Sequence, residues 1–191
     1  MRKIKMLTVL CLILLAPVSG FALFDVNLHG GLPFGGEYDS CSQKMLDLDN
    51  YAYGASAHLN TDFLQLFHMG LGGFFQLSTI TYNGTNDFTL DRSTVGIEAY
   101  CQLEIPLLPL SPYVKAGTAA WNKVKVKDGA YSETDNFKKH GVGAGFVFTI
   151  LPIPELLRLQ VFAEYIYNFG KEDGAKVKQS NAFLGIRADL F

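Results

Sequence analysis

The 191-residue chain predicts an all-β protein, an eight-stranded antiparallel up-and-down barrel that spans a membrane. Three observations carry that prediction. Apolar residues recur at every second position in one stretch after another, the period of a strand with two unlike faces. These stretches outrun the ~5–6 residues usual for a soluble strand and reach the ~9–11 that a tilted strand needs to cross a bilayer. Hydrophobic residues make up 49% of the chain, yet after the N-terminus they never form the run of about 20 that a membrane-spanning helix requires.

The pattern is clearest from Leu157 to Phe169. Leu157, Leu159, Val161 and Ala163 share a face that ends in Tyr165, Tyr167 and Phe169, whereas Arg158, Gln160, Glu164 and Asn168 occupy the other. An apolar band with an aromatic rim suits the boundary between hydrocarbon and water. A lone strand cannot occupy hydrocarbon, because each unpaired backbone N–H or C=O costs several kcal/mol there, so the sheet must close.

Residues 1–22 carry Arg2, Lys3 and Lys5, an apolar run from Met6 to Ala16, and Gly20-Phe21-Ala22, with small residues three and one before a cut. This is the pattern of a secretory signal peptide, leaving residues 23–191 as the barrel domain. Cys11 inside the apolar run disfavours a lipoprotein. Removing three of 16 cations leaves 13 against 18 acids, a net charge near −5, and nothing there points to nucleic acid. Cys41 falls in a polar loop and Cys101 on the apolar side of a strand, so no disulfide is expected, and no spacing suits a structural zinc.

The first strand, Phe24 to Phe34, sets Val26, Leu28 and Leu32 outward and Asp25, Asn27 and His29 inward. Tyr51 to Leu59 follows with Gly54, Ser56 and His58 inward. Met69 to Tyr82 has Leu71, Phe75 and Leu77 outward and Gly70, Gly72, Phe74 and Gln76 inward. Ser93 to Ile105 sets Val95, Ile97, Ala99, Cys101 and Leu103 against Glu98, Tyr100, Gln102 and Glu104. Tyr113 to Val126 puts Tyr113, Lys115 and Gly117 inward, and the same parity sends Trp121 and Lys123 inward unless a bulge intervenes. Lys138 to Ile150, Leu157 to Phe169 and Asn181 to Phe191 complete the eight, the last with Arg187 and Asp189 inward. Connections alternate: Gly35 to Asn50, Asn83 to Arg92, Lys127 to Phe137 and Gly170 to Ser180 are polar, while Asn60 to Phe67, Pro106 to Pro112 and Leu151 to Leu156 are mostly short and apolar. Polar loops belong outside the cell, and short turns and both termini in the periplasm.

The cleavable signal, the eight alternating strands, the series His140-Gly141-Val142-Gly143-Ala144-Gly145-Phe146, the stretch Pro112-Tyr113-Val114-Lys115-Ala116-Gly117 and the terminal Phe191 resemble the small outer-membrane β-barrel family of OmpX-like and OmpW-like proteins and the OmpA barrel domain. The resemblance implies the outer membrane of a diderm, Gram-negative-type bacterium, contact with its lipid, and recognition by barrel-assembly machinery through the strand ending in Phe191. Leu190, not Phe191, is in phase with the lipid-facing residues, a departure from the family pattern.

Inward positions hold Asp25, Glu98, Glu104, Glu164 and Asp189 against Lys115, Lys123, Arg158 and Arg187. An eight-stranded interior is just wide enough for side chains to fill it, so these charges read as a polar network that plugs the lumen. Phe74, Tyr100, Tyr113 and Trp121 are candidates for an apolar lumen lining. Ser56 and His58 share a face, but they lie near the periplasmic end, where no lipid acyl bond reaches; a hydrogen-bonded pair is expected rather than a hydrolase. The histidines His29, His58, His68 and His140 lie on different strands or strand ends, and no metal, cofactor or catalytic site is expected. The glycines Gly141, Gly143 and Gly145 lie in a strand and not before a helix, so they read as small inward residues and not a phosphate loop. Asn83-Gly84-Thr85 reads as a turn.

Two functions fit: a closed structural or surface-interaction barrel whose polar loops meet host or envelope partners, and a narrow OmpW-like, porin-like channel for small hydrophobic molecules. A soluble lipid-carrying barrel would need its charged face outside.

Overall fold

The computed structural model describes residues 24–38, 41–43, 50–63, 66–83, 88–105, 108–128, 131–136, 138–153, 156–172 and 175–191. The signal peptide, the turn at residues 84–87 and Pro106 lie outside these. Among the described residues ten strands follow one another: β1 (Phe24–Tyr38), β2 (Cys41–Gln43), β3 (Tyr51–Phe63), β4 (Phe67–Asn83), β5 (Phe88–Leu103), β6 (Leu110–Asp128), β7 (Tyr131–Asn136), β8 (Lys138–Ile153), β9 (Leu157–Glu172) and β10 (Ala175–Leu190). Eight of them form the wall. Sequence neighbours pair antiparallel in the order β1, β3, β4, β5, β6, β8, β9, β10, and β10 returns to β1 through pairs such as Phe24 with Leu190 and Leu28 with Ile186. Closure satisfies the backbone groups that an open edge would leave unpaired.

The other two strands sit where loops were expected. The short strand β2 bridges β1 and β4, and β7 folds back on the far end of β6. The hairpins therefore continue as sheet past the predicted strand ends: much of Gly170 to Ser180 belongs to β9 and β10, and Asn60 to Phe63 belongs to β3. At one mouth, that of the chain termini and short turns, Phe63 faces Phe67; at the other the hairpins project furthest.

Alternation decides the two faces. Outward, Leu28, Leu59, Leu71, Ile97, Val114, Phe146, Leu184 and Ile186 are exposed, and Tyr51 stacks near Tyr53, as Tyr167 does near Phe169, toward the hairpin end. Inward, Asp25, Asn27, Gln102, Gln179, Asn181 and Asp189 are buried. The inversion is that of a protein whose solvent outside is apolar.

The bulge changes one strand. Val95 pairs with Trp121 but Gly96 pairs with Ala119, so Ala120 is the extra residue and parity reverses beyond it. Trp121 is 46% exposed on the outer wall, which corrects the expectation that it lines the lumen. Lys123 is likewise exposed and leaves the predicted network, while Asn122 and Val124 turn inward in their place. A second bulge lies between Pro33 and Gly36, where Gly35 takes a φ of 62°, a left-handed conformation that glycine reaches without a Cβ clash.

Candidate functional site in the barrel lumen

The half of the lumen nearer the short turns is a connected set of charged and polar side chains. Each is placed by its strand's parity, and its partner is set by cross-strand register. Asp25 faces His58 on β3 and Asp189 on β10, and Arg158 faces Asp189 across β9 and β10. His58 lies 2.7 Å from Asp25 through Nδ1 and 3.0 Å from Glu98 through Nε2. Carboxylates only accept, so the ring serves both as a doubly protonated cation. Lys115 Nζ donates to Glu164 at 2.8 Å and lies 3.6 Å from Glu98. Tyr113 donates its hydroxyl to the other Glu164 oxygen at 2.6 Å, and Tyr100 donates to Asp25 at 2.6 Å. At the mouth, Arg158 donates to Glu104 at 2.6 Å and to Asp189 at 2.7 Å.

Arg187 is held differently. Its guanidinium donates to Asn27 and Gln102, each at 2.8 Å, and lies over the rings of Tyr100, Tyr113 and Phe162 at 4.5, 5.5 and 5.9 Å. Rings and amides solvate the cation where water is scarce.

Eight of the nine charged residues anticipated from parity, Asp25, Glu98, Glu104, Lys115, Arg158, Glu164, Arg187 and Asp189, face this one region, and Lys123 does not. Sequence reasoning missed Asp62, which accepts from His68 Nδ1 at 2.5 Å, because it ended β3 at Leu59. The even positions Asn60 and Asp62 continue the inward face of His58 and were the available signal. Ser56 and His58 are both buried and share Asn27, whose amide lies 3.2 Å from the Ser56 hydroxyl and 3.2 Å from His58 Nδ1.

Small residues make room for the aromatics. A Cβ on Gly70 would sit 2.3 Å from the Tyr100 ring, and one on Gly145 2.9 Å from that of Tyr113. Phe74 borders a cavity of about 30 Å³ shared with Lys115 and Lys139, and a second of about 10 Å³ lies among Asn27, His58, Tyr113 and Arg187. A single water needs roughly 10–15 Å³ of such space. The other half of the lumen carries Arg92, which donates to Gln179 at 2.7 Å, and Thr94, which donates to Asn122 at 2.7 Å. Ile80, Tyr82, Leu90, Val124 and Val177 close over them as an apolar cluster toward the hairpins. Cys101 is a free thiol on the outer side of the wall.

No family model matches the chain, and no curated protein matches it. Among solved structures, neisserial surface protein A (NspA) superposes with a TM-score of 0.64 at 19% identity, covering 92% of this chain and all of that one. Ail, the attachment invasion locus protein of Yersinia pestis, gives 0.49 at 19% identity over 86% of this chain and 97% of that one. The N-terminal β-barrel domain of Pseudomonas aeruginosa OprF gives 0.42 at 18% identity over 85% and 96%. The fold is thus that of the small eight-stranded outer-membrane barrels that the sequence resembles.

Proposed function

We propose that the chain is an integral outer-membrane barrel with a closed lumen and no catalytic role, acting at its hairpin end as a surface-interaction protein. The observation that carries this reading is the division of the wall: the described side chains that face the lumen are largely buried and many are tied to one another, while the outer face is apolar below projecting hairpins. Among the described residues, lumen cavities of about 30 and 10 Å³ have room for a few waters at most, which supports a closed lumen. Against an OmpW-like apolar conduit stands the fact that the hydroxyls of Tyr100 and Tyr113 are committed to Asp25 and Glu164. Export by the signal peptide and assembly through the strand that ends at Phe191 belong to the same reading.

The partner that suits the hairpin end is anionic. Lys171, Lys176 and Lys178 are exposed beside Tyr167 and Phe169 around an outer cleft of about 410 Å³, and Lys123 and Lys125 are exposed on β6. Among the described residues, Lys178 pairs with Glu37 at 2.9 Å. The refolded protein in planar bilayers is expected to be electrically silent and, in vesicles, to bind dextran sulfate. Changing Lys171, Lys176 and Lys178 together to Glu should abolish that binding. Discrete conductance steps from inserted protein would overturn the closed lumen, and unchanged binding by the triple variant would overturn the basic surface.

A further inference from the structure

We propose that Asp25, His68 and Asp189 bind a divalent transition-metal cation, of the zinc or manganese class, at the short-turn mouth of the lumen. The three are buried and bring one ligand atom each to within 4.8 Å of the others. His68 is 1% exposed and Asp189 is fully buried. One imidazole nitrogen with two carboxylates is a donor set that such ions accept, at bond lengths of about 2.0–2.2 Å.

Orientation is the first reason. Asp62 accepts a hydrogen bond from His68 Nδ1, and the tautomer that carries its proton there leaves Nε2 to present its lone pair. Neither Nε2 nor Asp189 Oδ1 has a hydrogen-bond partner, although both are buried. Two unpartnered electron-rich atoms thus converge beside Asp25, whose own oxygens accept from His58, Asn27 and Tyr100. A carboxylate behind a ligating imidazole is also the arrangement that fixes its tautomer and raises its basicity toward a metal.

Charge is the second reason. Asp25 and Asp189 stand directly opposite each other across β1 and β10, a like-charge pair that a sheet disfavours. Arg158 answers Asp189 through its other oxygen, and His58 answers Asp25. A divalent cation between the two carboxylates offsets their mutual repulsion. The ion reaches the site from the mouth, where the side chains of Asp62, Arg158 and Glu104 keep 24%, 19% and 32% of their exposure.

The test is calorimetric titration of Zn²⁺ into the metal-free refolded barrel in detergent, repeated with Co²⁺ to read the ligand field by absorption. One equivalent should bind. His68→Gln and Asp189→Asn should each weaken binding at least tenfold, and Asp62→Asn about tenfold, whereas His140→Gln, on the exposed outer wall, should bind as wild type. Heat-modifiable gel mobility confirms folding of each variant, and the conservative Asp62→Asn serves if either ligand variant fails to refold. Absence of one-equivalent binding in the wild type, unchanged affinity in the folded ligand-site variants, or loss of binding in His140→Gln would overturn the assignment. So would Co²⁺ absorption identical in wild type and His68→Gln.

Discussion

Replacing Glu164 by Gln keeps the shape of the side chain and removes the charge that Lys115 and Tyr113 share. In the wild type one oxygen accepts from Lys115 at 2.8 Å and the other from Tyr113 at 2.6 Å, and the residue is buried. After the change Lys115 keeps only Glu98, at 3.6 Å, as an anionic neighbour. Breaking one side of a buried ion pair costs about 3–5 kcal/mol, because the surviving charge stays desolvated. A second variant, Lys115→Met, strands Glu164 and Glu98 in the same way. The double variant removes both charges, so its loss should fall below the sum of the single losses, with a coupling of at least about 2 kcal/mol. Urea unfolding of the vesicle-inserted barrel, followed by the fluorescence of Trp121, the single tryptophan, supplies all four corners of the cycle. A loss below about 1 kcal/mol for Glu164→Gln together with additive losses would refute the view that the lumen is held by mutually dependent charges.

Two further outcomes follow from particular side chains. Lys139 is 4% exposed and its Nζ has no hydrogen-bond partner; Lys139→Met should therefore raise stability by about 1–3 kcal/mol, read by the same urea titration, and a loss of stability would contradict it. Because Ala120 turns Trp121 to the outer wall, lipids brominated in their acyl chains should quench its fluorescence strongly and aqueous iodide weakly. A lumen-facing indole would escape the brominated lipids.

The candidate site divides along the same line as the fold. Parity along β1, β5, β9 and β10 is enough to place Asp25, Glu98, Glu164 and Asp189 inward, since a polar residue between two lipid-facing ones has one face left to it. Parity fails where polar residues occupy both faces: Asn60, Thr61 and Asp62 read as a turn, so the continuation of β3 and the Asp62–His68 pair were hidden. It also fails where the chain adds a residue. Nothing local marks Ala120 as the bulge, because the extra residue is defined only by Val95 and Gly96 on the facing strand.

What the sequence determined by itself is the class of the protein and the two faces of its strands, because the pleat turns successive side chains to opposite sides whatever the strand pairs with. The tertiary structure alone decided who meets whom. Asp25 and Asp189 lie 164 positions apart and become direct neighbours only because β10 closes on β1 in one register, and a register is a relation between strands that no single strand's pattern contains.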